Sequence, residues 1–211
     1  CLGHIIGGFT MRDIIQVKKQ VHLYEEKFEF AKAVDLLLEE WNKDKENEIV
    51  SMLLIGECFY ILFFREFSSG DYGVRNDKNI DVGMMYDNLR KVYASGETSL
   101  RKSYLYKWYV GMLISTQSIV FRIAVPQMPE DEYIRSTEAA YMLNRNSQLV
   151  LSQWKLYNMR CEIPINRSLL IKELRQMQLQ ENMVDQELAW YYSTYNGLDI
   201  TFEDMNVKTM K

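Results

Sequence analysis

Residues 49–64 read IVSMLLIGECFYILFF, and this stretch decides the fold. Apart from Ser51, Gly56 and Glu57 every residue in it is apolar, so a helix built from it has no face that suits water. Such a helix belongs in the middle of a helical bundle, covered by neighbours on several sides. The stretch is too short and too interrupted for a membrane span, which needs about 20 consecutive apolar residues. We therefore expect a buried central helix that continues to Phe67.

The rest of the chain predicts helices that cover this centre. Apolar residues recur at spacings of three and four, and prolines and glycines are few. Residues 68–80 (SSGDYGVRNDKNI) are the clearest loop. The pattern predicts an all-α fold of about nine helices in antiparallel pairs, without strands. Besides the central helix, the predicted helices cover residues 10–26, 30–41, 81–94, 100–125, 130–144, 147–163, 169–180 and 182–195.

The domain organisation that we expect is a single helical domain over residues 10–197, followed by a polar tail over 198–211. The chain begins at Cys1 rather than at a methionine, and two interpretations follow. A first cysteine could be the acylated residue of a bacterial lipoprotein, or residues 1–9 could be the remnant of a longer chain. The apolar run LGHIIGGF that follows Cys1 favours the second interpretation, because a lipoprotein tether is polar.

Composition and charge narrow the function classes. The chain has 211 residues, 47% of them hydrophobic and 26% charged, as is typical of a soluble globular protein. A net charge of -4 without a basic stripe disfavours direct nucleic-acid binding. The three cysteines, Cys1, Cys58 and Cys161, have no C-x-x-C spacing, so neither a disulfide framework nor a zinc site is indicated. A reducing, cytoplasmic location is the expectation.

Candidate chemistry in the sequence is sparse. His22 with Glu25 and Glu26 could hold a metal on one helical face, but a solvated charged face is the favoured interpretation. Glu57 interrupts the central helix and could be a buried acid, more often paired with a cation than catalytic. No nucleophile, phosphate-binding or dinucleotide motif occurs. We therefore expect no enzyme activity, no cofactor and no metal.

Clustered aromatic residues are the remaining candidates for binding. Consecutive aromatics cannot all point into one core, so we expect some of them to face a groove or a partner. Filling of gaps between helices is the alternative. The candidate partner-binding residues are Tyr104, Trp108 and Tyr109 in one cluster and Trp190, Tyr191 and Tyr195 in the other.

Three sets of residues match a helical-repeat pattern, and the second set follows the first by about 34 residues. The sets are Val21, Tyr24, Phe30, Ala33 and Leu37; Ile55, Gly56 and Phe59; and Ala140, Leu143, Ser152, Leu156 and Pro164. Their small and aromatic residues stand where paired helices of tetratricopeptide repeats approach each other. The chain therefore resembles a tetratricopeptide-like (TPR-like) helical-repeat protein over about two-thirds of its length. The 68–80 loop departs from the pattern, and an irregular α-bundle is the alternative.

The resemblance implies a right-handed helical repeat that acts as a non-enzymatic binding module for a peptide or protein partner. The alternative function is the effector- or peptide-sensing domain of a bacterial transcription regulator without its DNA-binding part. The sequence leaves open whether the 100–125 helix packs internally or across a homodimer.

Overall fold

The computed structural model describes residues 11–68, 73–158 and 164–177. All regular structure in these ranges is helical and none of it is a strand, which confirms the all-α prediction. The nine α-helices of these ranges are α1 (Met11–Glu26), α2 (Phe30–Lys43), α3 (Glu48–Leu62), α4 (Val82–Ser99), α5 (Tyr104–Thr116), α6 (Ser118–Ala124), α7 (Glu132–Leu143), α8 (Gln148–Asn158) and α9 (Arg167–Met177). The predicted 182–195 helix, residues 1–9 and the 198–211 tail lie outside the described residues.

The described residues divide into two compact units. Unit 1 contains α1 to α4 and residues 119–127, so most of α6 belongs to it; α3 packs against α2 and α4, and α1 packs against α2. Unit 2 contains residues 102–118 and the described residues from 128 onward; α5 packs against α7 and α8, and α8 packs against α9. Consecutive helices that pack across short connections run antiparallel. The single domain over 10–197 and the TPR-like repeat stay predictions.

α3 is the buried centre of unit 1, as its sequence predicts. Every residue from Val50 to Leu62 is buried. Asn47 begins the helix, because its side-chain oxygen accepts a hydrogen bond from the Val50 N–H at 3.1 Å. The helix continues beyond Leu62 as a π-helical turn over Phe63–Phe67. None of the described helices is long and apolar enough to cross a membrane.

The predicted helix over residues 100–125 is wrong in the structure, which has two helices there, α5 and α6, separated at Gln117. The hydroxyls of Ser115 and Thr116 both donate to the Met112 carbonyl, at 2.7 and 2.9 Å, in competition with the backbone of the last turn. The sequence predicts a helix over 81–94, but α4 extends to Ser99. Gly96 does not end the helix and is buried inside it.

Candidate functional site

Two of the aromatic residues proposed from the sequence to bind a partner are fully buried. Trp108 and Tyr109 lie in a segment of α5 in which every residue from Tyr106 to Ile114 is buried. Neither side chain exposes surface in the described residues, so these two rings fill space between helices. Tyr104, at the start of α5, is only partly buried. Trp190, Tyr191 and Tyr195 lie outside the described residues.

The titratable groups proposed from the sequence do not form a metal site in the described residues. His22 faces two carboxylates of its own helix: Nε2 lies 3.3 Å from Glu26 Oε1 and Nδ1 lies 4.0 Å from Glu25 Oε2. Across the ranges that the structure covers, no group of three or more His, Cys, Asp or Glu residues is arranged to hold a metal ion.

Glu57 and Cys58 are both completely buried in α3. Burial, and secondarily the charge of Glu57, raises the pKa of the Cys58 thiol far above its ordinary value. The thiol is therefore neutral at physiological pH, and a buried neutral thiol is chemically inert. Cys58 acts as a small hydrophobic residue of the core, as the sequence predicts.

A different part of unit 1 combines unusual backbone with exposed aromatic rings. It consists of residues 27–32, 63–68 and 73–80, which we call the Phe28 corner. These residues form the turn between α1 and α2, the π-helical turn after α3, and a short 3-10 turn at Val74–Asn76. Three sets of contacts, described next, join these segments.

Phe28 occupies a position that normally requires glycine. Its φ is 57°, and it is the only residue other than glycine with positive φ in the described part of the chain. The Phe28 N–H donates to Glu25 O and the Glu29 N–H donates to Tyr24 O, both at 2.9 Å. This pair of bonds is the Schellman motif that ends a helix, with Phe28 at its left-handed position. A left-handed conformation costs a residue with a Cβ roughly 1–2 kcal/mol.

Gly73, in another segment of the corner, packs against the Phe28 ring. Gly73 has a φ of 78°, and a Cβ at this position would lie 2.0 Å from Phe28 Cδ1. Only glycine therefore satisfies both the backbone conformation and the close approach of the ring. Phe28 also lies beside Phe30, with a distance of 6.5 Å between the ring centroids.

Asp77 ties the corner to the beginning of α2. Its carboxylate accepts hydrogen bonds from the Ala31 N–H and the Asn79 N–H, both at 2.9 Å, and its side chain is buried. The residue before α2, Glu29, makes no side-chain cap to the helix. The Asp77 carboxylate, 46 positions from Ala31, instead accepts a hydrogen bond from a backbone N–H at this helix N-terminus. Arg65 of the π-helical turn adds a bond from Nη1 to the Asp77 carbonyl at 3.3 Å.

Hydrogen bonds and a ring contact join the segments of the corner, which nevertheless leaves large apolar side chains exposed. Phe28 is 51% exposed and Phe67, at the end of the π-helical turn, is 39% exposed. Single π-helical turns occur frequently at functional sites, and strained backbone does so as well. The Phe28 corner can therefore contact another molecule through aromatic rings that are held by the fold.

Sequence reasoning did not find this corner, although it singled out the 68–80 loop as a departure from the repeat. Gly73 and Asp77 lie in that loop and are residue types that turns favour. The turn after α1 reads YEEKFEF and contains no glycine or asparagine, so nothing marks Phe28 as left-handed. Comparisons of the chain with protein-family models, with curated proteins and with solved structures found no match.

Proposed function

We propose that the chain is a non-enzymatic, TPR-like binding module of the reducing cytoplasm, and that it recognises a peptide or protein partner at the Phe28 corner. The observation that carries the proposal is the half-exposed Phe28 at a position where glycine would fold at lower cost. Beyond the contacts of its ring with Gly73 and Phe30, folding gains little from a half-exposed phenylalanine on a left-handed backbone. A partner that covers the ring supplies a reason for it, since buried aromatic anchors dominate interface energies.

Phe67 supports the same surface. It ends the π-helical turn whose Arg65 is bonded to Asp77, so the fold places it on an element attached to the corner. Exposed apolar side chains on a folded element suit a partner that brings its own apolar residues, because less of the surface has to be ordered on binding. The alternative of an effector-sensing regulator domain remains a prediction that no described contact favours.

The test is a selection of random peptides displayed on phage against the wild-type chain and against Phe28→Gly. Glycine accepts a positive φ without strain, so this substitution removes the ring while the free energy of unfolding stays within about 1 kcal/mol of wild type. We expect enriched peptides that bind the wild type and lose at least about tenfold in affinity for Phe28→Gly, the range of an interface anchor.

A matched control is Met84→Ala, which removes a similarly exposed apolar side chain from α4, outside the corner. The selected peptides should bind this variant as they bind the wild type. Peptides that bind wild type and Phe28→Gly equally well, while urea unfolding shows both folded, would place recognition elsewhere and overturn the proposal.

A further inference from the structure

The exposed charges of the Phe28 corner differ in sign from the chain as a whole. Lys27, Arg75 and Lys78 are exposed in the corner, whereas the chain carries a net charge of -4. Lys27 precedes Phe28, Arg75 follows Gly73 by two residues, and Lys78 follows Asp77. Each cation therefore stands within two residues of a contact that holds the corner together.

Most acidic groups beside these cations are already engaged. The Asp77 carboxylate is buried and accepts two backbone hydrogen bonds. Glu29 pairs with Lys32 at 2.6 Å, and Glu26 pairs with His22 at 3.3 Å. Among the described residues of the corner, Glu66 is the remaining exposed carboxylate. The three exposed cations thus outnumber the exposed acid that is left to oppose them.

We infer, on the basis of the proposed function, that the segment bound at the Phe28 corner is an acidic peptide with large apolar side chains. Apolar side chains of the peptide cover Phe28 and Phe67, and its carboxylates face Lys27, Arg75 and Lys78. Three cations are few for a phosphate backbone, whose binders typically make about 6–10 phosphate contacts. A surface that exposes both aromatic rings and cations selects a ligand that carries both apolar groups and carboxylates.

The experiment measures fluorescence anisotropy of three short labelled peptides with the intact chain. The first alternates Phe and Leu with Asp and Glu, the second replaces the acids by Asn and Gln, and the third replaces them by Lys. We expect the acidic peptide to bind about tenfold more tightly than the neutral one at about 0.05 M salt, and the advantage to shrink at about 0.5 M because salt screens exposed charges. The basic peptide should bind least.

Substitutions separate the charge inference from the proposed function. Lys27→Gln with Lys78→Gln should weaken the acidic peptide about fivefold and the neutral one less than twofold, as expected for exposed cations. Lys172→Gln, an exposed lysine of α9 in unit 2, should change neither affinity. Equal binding of acidic and neutral peptides that still depends on Phe28 would overturn the charge inference and leave the proposed function standing. Binding of any peptide without dependence on Phe28 would overturn both.

Two further probes exclude other anionic partners. A peptide of Asp and Glu alone should bind at least about tenfold more weakly than the acidic peptide with Phe and Leu, because it lacks apolar groups to cover the rings. Vesicles of phosphatidylserine should not sediment the chain. Equal binding of the purely acidic peptide, or Phe28-dependent sedimentation with the vesicles, would overturn the inference of an acidic, apolar peptide.

Discussion

At the scale of single residues, Gln153 of α8 is the polar group with the clearest energetic cost. Its side chain is fully buried, and within the described residues neither its amide nitrogen nor its amide oxygen has a hydrogen-bond partner. It lies at a close crossing, because a Cβ at Gly111 of α5 would be 3.3 Å from Nε2 of Gln153. A buried polar group without a hydrogen bond costs about 1–3 kcal/mol.

Replacing this amide by an apolar side chain of similar shape should therefore stabilise unit 2. We expect Gln153→Met to raise the free energy of unfolding by about 1–2 kcal/mol, measured by urea denaturation at an unchanged m value. Gln20→Met, on the exposed side of α1, is the matched control and should stay within about 0.5 kcal/mol of wild type. A loss of stability in Gln153→Met would contradict the prediction.

At the scale of helices, two helix beginnings are capped by carboxylates from distant parts of the sequence. Asp77 serves α2 in unit 1, and Glu173 of α9 serves α8 in unit 2. The Glu173 carboxylate accepts bonds from the Ser147 hydroxyl at 2.7 Å, the Gln148 N–H at 3.0 Å and the Leu149 N–H at 3.2 Å. A negative charge at a helix N-terminus also interacts favourably with the helix dipole. Each of these caps therefore connects a helix to a segment distant in the sequence, which a capping residue next to the helix would not do.

The Glu173 cap predicts a measurable coupling between α8 and α9. Glu173→Gln keeps the shape but removes the charge and one acceptor, so we expect it to lower the free energy of unfolding by about 1–2 kcal/mol. The exposed Glu138→Gln of α7 should change it by less than about 0.5 kcal/mol. In a double-mutant cycle with Ser147→Ala, the coupling energy should be about 1 kcal/mol. Additive effects of the two substitutions would show that the Ser147–Glu173 bond adds nothing to stability.

At the scale of the whole molecule, the sequence predicts what depends on composition along one segment and misses what depends on contacts between segments. α3 was predictable because a stretch that is apolar all round can only be buried. Asp81, Ser147 and Asn166 cap the helices that directly follow them. Such a cap involves residues only three positions apart, so a sequence can indicate it.

Other features depend on partners that no local pattern reveals. The burial of Trp108 and Tyr109 depends on what surrounds α5, and the Phe28 corner joins residue 28 to 73 and residue 31 to 77. The break at Gln117 follows from hydroxyl groups that compete for a carbonyl inside an otherwise helical pattern. The fold class was therefore accessible from the sequence, whereas the candidate site was not.

The burial of α3 on every side makes a final prediction about the stability of unit 1. Amides of α3 can exchange with solvent only when the helices that cover it separate, so their opening should require unfolding of the whole unit. The π-helical turn that follows is a rare geometry, found mostly as single turns, and it exposes Glu66 and Phe67. It should open locally at a lower free energy.

Native-state hydrogen exchange measured by mass spectrometry or NMR distinguishes these openings. We expect amides of residues 52–62 to be the slowest of unit 1, with an opening free energy equal to that from urea unfolding, and amides of residues 64–68 to exchange at least about tenfold faster. Phe28→Gly should leave both rates nearly unchanged, because residue 28 lies in neither segment and glycine accepts its positive φ. Equal protection of the two segments would show that the π-helical turn unfolds only with α3, and that the corner is as stable as the core it adjoins.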